Sequence, residues 1–488
     1  MRNTAARPVS PARPAPVAHE DAPPAVPSQS PLMHTLHGRA DEEPGTIDGS
    51  YASSVPAPDQ RLGDRREATE KHGARKLLAV LGPGLITGAS DDDPSAVGTY
   101  AATGAQSGYG FLWMALITFP MMAVVQGMCA RIGLVSGRGL AITLRQYFPK
   151  WLVYPVLLLL VVATTFTVGA DLIAIAAGIN LLVPVPIVVL VPLIAIALTL
   201  FEVFAKYQNI NKVFKWLALV LVAYVFTGFA AHADWGAVLR GTLIPHLPRN
   251  KDDLNLAIAI LGTTISPYLF FWQAGQEVEE KKAAGKETPA ERHGATRQQV
   301  ADRKLDVNIG MFASNVVMYF IILTTAATLH QTGKTDIASA ADVATALQPL
   351  LGPVAKYLFA AGFIGAGIIA VPVFTGAIAY TVSETFGWRE GLDEPLRRAK
   401  GFYVVIALST LAGMIVTLLG LDPIKALVYS SILCGLVTPP LLLMIVLLAN
   451  RRSVMETFTN NLWSNFWGWA CFALMTAAAV AYLVGLFT

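Results

Sequence analysis

From Leu77 onward the chain is a succession of apolar runs, many about as long as the ~20 residues that cross the ~30 Å of bilayer hydrocarbon, separated by short polar segments. The pattern predicts helices over 77–106, 109–133, 151–180, 185–204, 208–232, 254–280, 305–330, 354–386, 402–419, 423–449 and 465–487. A shorter amphipathic stretch near 138–148 is expected at the interface between the second and third spans. The fold class is therefore an all-α polytopic membrane protein with about eleven spans. The residues before this region follow another pattern: eleven of the 30 prolines lie before residue 60, among Ala, Ser and charged residues. No apolar core of the kind found in a secretory signal precedes Leu77. Residues 1–74 are expected to be a disordered Pro-rich tail, and 75–488 the membrane domain.

Composition sharpens this division. Of the 488 residues, 54% are hydrophobic and 14% charged, against the ~25% charged typical of soluble domains. The net charge of +3 says little about partners, because the basic residues sit in loops; a nucleic-acid partner is not expected. Their distribution sets an orientation. With the N-terminus inside, the inner loops hold Arg131, Arg138, Arg145 and Lys150; Lys206, Lys212 and Lys215; the dense 281–304 stretch; Arg389, Arg397, Arg398 and Lys400; and Arg451 and Arg452. The outer loops hold only Arg240, Arg249, Lys251, Lys334 and Lys425. This bias predicts a cytoplasmic N-terminus, an outer C-terminus and residence in the plasma (inner) membrane. The stretch 281–304 is expected to be a solvated loop. Cys129, Cys434 and Cys471 all fall in predicted helices without a CxxC pair, which argues against a disulfide framework or zinc site.

Two spans are interrupted by polar chemistry. In the first, LAVLGPGLITGASDDDPSAVGTYAATGA, Asp91, Asp92 and Asp93 stand directly before Pro94. Proline removes a backbone donor and disfavours helical geometry at the residue before it, so the helix should unwind there. Each carboxylate at that depth costs at least ~2.5–3.5 kcal/mol on insertion scales. The sixth span repeats the device in LAIAILGTTISPYLFFWQAGQ, where Thr263, Thr264, Ser266 and Pro267 interrupt an apolar run. Pro267 alone could be a kink. Breaks five helices apart, however, place corresponding residues in two halves of opposite topology, the arrangement that marks a secondary transporter's midplane site. Repeat one is expected over about 77–232, repeat two over about 254–449, and an extra helix over about 465–487. Carboxylate, hydroxyl and carbonyl oxygens suit Mg²⁺, Mn²⁺ or Ca²⁺, and would also hold Na⁺ or a proton.

Other polar positions divide between structural and functional readings. Asp171, after Thr164, Thr165 and Thr167, is either hydrogen-bonded to a neighbouring helix or part of a proton or ion relay. Adjacent residues on a helix point 100° apart, so the three aspartates cannot all face one ion. Asp91, Asp92 or both could instead attract ions at a vestibule. Glu202, Glu277, Glu279, Glu280 and Glu384, near inner helix ends, are expected to be solvated or salt-bridged.

At this point the residues resemble a known family. GPGLITGASDDDPSAVGTY is similar to the first helix of the Nramp divalent-metal transporters, whose signature is GPG, eight residues, then DPGN. GTTISPY resembles their sixth-helix A-x-x-M-P-H motif, and DLIAIAAGINLL their third helix. The resemblance covers about residues 77–449. It implies a LeuT-like 5+5 inverted repeat, followed here by the eleventh helix, with a metal site between helices one and six. It carries the metal-binding aspartate onto Asp93 and the carbonyl-donating alanine onto Thr263. The family's methionine, which favours transition metals, falls on Ser266. Its asparagine falls on Ala96, its histidine after the proline on Tyr268, and a third-helix glutamate linked to proton transfer on Asp171. A tenth-helix glutamine falls on about Ser430 or Ser431.

The losses share a direction: sulfur and amide give way to hydroxyls. The chain is in this respect similar to the Nramp-related magnesium transporters. The expected function is secondary transport of Mg²⁺ and/or Mn²⁺ by alternating access, without the family's histidine for proton coupling. A proton-coupled Mn²⁺/Fe²⁺ transporter and a Na⁺-coupled amino-acid symporter of the same fold are the alternatives. Three aspartates would repel the substrate carboxylate that such a symporter binds at a half-helix terminus. A channel would leave paired breaks without purpose. An enzyme is not expected, since the YD and GxGD signatures of intramembrane aspartyl proteases do not occur in the right place. No cofactor is implied, the metal being cargo. The expected partners are lipid and the divalent ion, with no obligatory protein partner.

Overall fold

A computed structural model of the chain describes residues 82–204, 225–231, 233–337, 341, 342, 344, 352 and 354–487. All belong to the unit Thr69–Thr488. The expected tail and most of the expected 208–232 span lie outside the described residues.

All regular structure among the described residues is helical. In chain order the main helices are α1 (Pro83–Asp91), α2 (Pro94–Ser107), α3 (Met114–Ser136), α4 (Leu140–Tyr147), α5 (Lys150–Leu182), α6 (Ile187–Phe204), α7 (Trp235–Leu243), α8 (Lys251–Thr264), α9 (Pro267–Ala283), α10 (Arg297–Thr325), α11 (Val354–Phe386), α12 (Lys400–Ile415), α13 (Pro423–Ala449) and α14 (Leu462–Phe487). Eight helical stretches among the described residues are long and apolar enough to cross a membrane, α8 and α9 counting as one. Two more of the eleven expected spans are visible but shorter. The first is divided into α1 and α2, and the ninth, α12, is continued by the 3-10 turn Val416–Leu419.

The expected interfacial helix is α4. One helix was not anticipated: α7 has only nine residues, too few for a span, and is started by the Asp234 carboxylate, which accepts from the amides of Gly236 at 2.9 Å and Ala237 at 3.2 Å.

Both expected breaks are present, for the same local reason. Pro94 and Pro267 each occupy the first turn of a new helix, where a missing N–H costs nothing. The residue before each proline is extended, Asp93 at φ −65°, ψ 169° and Ser266 at φ −74°, ψ 116°.

The packing partners relate the two halves. The first span packs on the seventh (α1 on α10) and the sixth on the second (α9 on α3). Adding or subtracting five positions interchanges these pairs. The third and eighth spans, α5 and α11, pack on each other and form a pair that the same exchange maps onto itself. This is the arrangement of a LeuT-like inverted repeat. The eleventh span, α14, lies outside that scheme, packing on α13 and α8.

Where α1 meets α10 the backbones touch. A Cβ added at Gly310 would lie 2.1 Å from the Gly84 carbonyl oxygen, and one at Gly88 would lie 2.3 Å from that of Gly310. Backbone atoms cannot swing aside as side chains do. Gly310→Ala is therefore expected to force the helices apart at a cost of about 1–3 kcal/mol. Thermal unfolding of the purified variant in detergent checks this; an unchanged midpoint would mean that the contact is looser than drawn.

Candidate substrate site between the two helix breaks

The three aspartates face in different directions because the helix ends among them. Asp91, the last residue of α1, accepts hydrogen bonds from Ser266 and Ser314, each at 3.1 Å. Asp92 also accepts from Ser314, at 3.1 Å. Both are buried, at 1% and 2% exposure. Burial followed because Ser314, from the middle of α10, supplies a hydroxyl to both. A serine in an apolar helix ordinarily bonds its own backbone, and nothing in the sequence distinguished this one.

Asp93 caps α2. One of its oxygens accepts from the Ala96 amide at 2.6 Å, and the Ser95 hydroxyl lies 2.8 Å from both oxygens. The Tyr268 hydroxyl donates to it from the other break at 3.2 Å. Ser95 reaches back to the Thr263 hydroxyl at 3.4 Å. The Thr263 carbonyl, exposed by the break as expected, accepts from the Ser266 hydroxyl. Asp93, Thr263, Ser266 and Tyr268 are thus gathered into one buried polar cluster, with the Tyr268 ring held against Phe374 at 4.1 Å between centroids.

The α13 serines lie farther along. Ser431 meets Thr99 of α2 at 3.1 Å, about 1.7 turns beyond Asp93, while Ser430 bonds the Leu427 carbonyl of its own helix.

Asp171 is fully buried in α5, and neither of its oxygens makes a hydrogen bond. The Ser95 backbone amide at the start of α2 is turned toward it as a donor and the Asp93 charge acts on it, which places it beside the cluster. The Cys434 thiol was not anticipated. It lies 3.5 Å from the Thr167 hydroxyl and within the electrostatic reach of Asp93, Asp171 and Tyr268. Its helix, α13, is distant in sequence from both breaks, which hid the proximity. No three His, Cys, Asp or Glu side chains form a metal cage among the described residues. An ion at the cluster would meet one or two carboxylates, hydroxyls and a carbonyl.

Toward the end of the bundle that carries the basic loops, α1 is anchored by an ionic network. The Asp306 carboxylate accepts from the amides of Gly82, Gly84 and Leu85 at 2.9, 2.8 and 3.1 Å. Arg303 holds Asp306 at 3.2 Å and Glu277 at 3.0 Å, and also pairs with Glu280. Glu277 receives Gln273 at 3.0 Å, and Gln273 receives Thr87 at 2.6 Å. Glu279 pairs with Lys282 at 2.8 Å. The salt-bridged reading holds for these three glutamates.

Two others need correction. Glu202 is buried and accepts from Thr375 at 2.7 Å, and Glu384 is buried and caps α4 through the Ala141 amide at 2.7 Å. Neither forms a salt bridge among the described residues. The 281–304 stretch is also less solvated than expected. Lys281 is buried and donates to the carbonyls of Leu134, Arg292 and Gly294, while Arg303 belongs to the network above.

Interrupted spans in two inverted halves, enclosing buried carboxylates and hydroxyls, define an integral membrane transporter of LeuT-like architecture. Comparison with known proteins gives the family. The Nramp sequence model, "Natural resistance-associated macrophage protein-like", matches residues 84–485. The chain belongs to the Nramp family. It is 28% identical over 402 residues to the divalent metal cation transporter MntH of Pectobacterium carotovorum, an alignment covering 81% of this chain and 92% of that one. Among solved structures, the Eremococcus coleocola manganese transporter superposes with a TM-score of 0.67 at 20% identity, covering 86% of this chain and 90% of that one. Mhp1, a nucleobase-cation-symport-1 family transporter, superposes at 0.56 with 16% identity, covering 83% and 92% of the two chains.

Proposed function

We propose that this protein carries divalent metal cations, Mg²⁺ and Mn²⁺, across the membrane by alternating access at the cluster around Asp93. The observation that carries this reading is the meeting of Asp93 with Tyr268 directly, and with Thr263 through Ser95, across two helix breaks and far from solvent. A buried dication needs compensating charge, and Asp93 with Asp171 can supply two negative charges. The donors are oxygens, the preference of Mg²⁺ and Mn²⁺. The family's relatives include proteins described as divalent metal cation and manganese transporters, which supports the cargo class.

Tyr268 donates a hydrogen bond where the family resemblance places a histidine, and a tyrosine does not exchange protons readily near neutral pH. Energy does not require coupling. A dication moving inward through 100 mV gains about 4.6 kcal/mol, twice the single-charge value. The basic loops orient the protein with its N-terminus in the cytoplasm, in the plasma membrane.

The test is uptake by purified protein in liposomes, with Mg²⁺ and Mn²⁺ indicators and a lumenal pH dye. Entry of both ions with flat lumenal pH is expected. If neither ion moves, the metal reading fails. If Mn²⁺ enters with protons while Mg²⁺ is refused, the transporter is proton-coupled and selects against hard ions. One observation favours that second reading: the Cys434 thiol beside the cluster is a soft donor. Cys434→Ser would then narrow the preference for Mn²⁺ over Mg²⁺.

A further inference from the structure

Away from the transport cluster, α3, α10 and the start of α14 enclose a lateral groove of about 330 Å³. Its wall on α3 runs from Phe119 to Leu134, 15 positions or roughly 22 Å at 1.5 Å per residue. That is close to the roughly 20–22 Å of one leaflet taken with its headgroup region. The two ends differ in chemistry. Toward mid-membrane the lining is Phe119, Pro120, Ala123 and Gly127; toward the basic end it is Arg131, Arg303 and Lys304. No acidic side chain lines the groove.

Two of these cations are not neutralised. Arg131 donates one guanidinium N–H to Asn460, but its Nε is buried without a partner, and no carboxylate pairs with it among the described residues. Lys304 is exposed and likewise has no ion pair among the described residues. Gly127 faces the groove, and a Cβ built there meets nothing within 4 Å. Trp463, at 60% exposure, borders the basic end, the position at which tryptophan anchors at a membrane interface.

We propose that this groove binds one anionic phospholipid, with its phosphate between Arg131 and Lys304 and an acyl chain along α3 past Gly127. The argument is one of complementarity. The groove's length matches one leaflet with its headgroup region, its inner wall is apolar, and Arg131 and Lys304, at the end of the bundle that carries the basic loops, have no protein anion to satisfy them among the described residues. A zwitterionic lipid would fill the apolar wall but bring its own cation to a basic site. The inference does not depend on the identity of the transported ion.

Retained lipid tests it directly. The full-length protein is purified from vesicles of equal phosphatidylglycerol and phosphatidylcholine, washed in detergent, and the bound lipid is measured by mass spectrometry. Phosphatidylglycerol should be enriched roughly 5- to 30-fold, the range that one or two unpaired cations provide. Arg131→Gln with Lys304→Gln should abolish the enrichment. Because Arg131 also holds Asn460, Gly127→Phe is the second variant: it plugs the groove without touching a charge, and should lose the lipid while keeping the wild-type unfolding midpoint. Equal retention of the two lipids by the wild type overturns the proposal. So does undiminished enrichment in Gly127→Phe, which would put the lipid elsewhere. Displacement by inorganic phosphate alone would make this an anion site with no role for the groove, and a cross-linked dimer through the Trp463 face that excludes lipid would assign the surface to a second copy.

Discussion

Asp93→Asn protein is expected to fold normally and to carry almost no metal. Asparagine is as good a helix cap as aspartate, so its remaining carbonyl oxygen can still accept the Ala96 amide that starts α2. Its size also leaves the Ser95 and Tyr268 contacts within reach. What disappears is the negative charge. Removing one partner of a buried charge pair costs roughly 2–5 kcal/mol, which translates into a loss of about 30- to 4,000-fold. Initial Mg²⁺ and Mn²⁺ uptake in liposomes measures the loss, and the unfolding midpoint verifies the fold. Asp91→Asn serves as contrast. Asp91 is held by Ser266 and Ser314 and does not touch Asp93, Tyr268 or Ser95 through any hydrogen bond, so the smaller defect is expected there. If Asp93→Asn transports at the wild-type rate while Asp91→Asn does not, the ion binds on the α10 side of the break and the assignment of the site is wrong.

The two breaks were legible because their causes are local. A proline after a carboxylate, or after Thr-Thr-x-Ser, dictates where an apolar helix must stop, whatever packs around it. The meeting of Asp93 with Tyr268 followed from a longer inference, the five-helix offset between the breaks. By contrast, Ser314, Asp306 and Cys434 were hidden. Each sits in an unbroken helix, and its role depends on which face of that helix meets α1 or the cluster. Periodicity did not resolve this in helices apolar on most sides. Asp171 was visible as a charge inside a span, but its choice between structural and relay roles rested on whether a neighbouring helix offers a donor. The charge census along the loops gave an orientation yet misjudged Glu202, Glu384 and Lys281, because proximity to a helix end in sequence does not mean proximity to water. Glu384 is buried because it caps α4 from 240 or so positions away, a contact that only the folded chain creates.

The second large effect concerns the anchor of α1. Asp306 satisfies three amides at the start of a nine-residue helix that has no side-chain cap of its own. In Asp306→Ala those amides lose their acceptor, and Arg303 keeps only Glu277 and Glu280. Breaking a buried pair of this kind costs about 3–5 kcal/mol, and the loss falls on the element that leads from the basic end to Asp93. The expected result is a lower unfolding midpoint together with a looser α1. A cysteine placed at Ser90, fully buried beside the cluster, reports the second part. The three native cysteines are themselves buried, so they add little background to alkylation. Ser90→Cys should resist a water-soluble maleimide in the wild-type background and react faster once Asp306→Ala is added. Faster labelling that Mn²⁺ or Mg²⁺ suppresses would identify release of α1 as opening of a path to the substrate. Faster labelling that neither ion affects would mean that the network simply holds the fold together. If Ser90→Cys stays unreactive although stability falls, the contacts of Gly84 and Gly88 with α10 keep α1 in place without Asp306, and the opening motion must begin at another element.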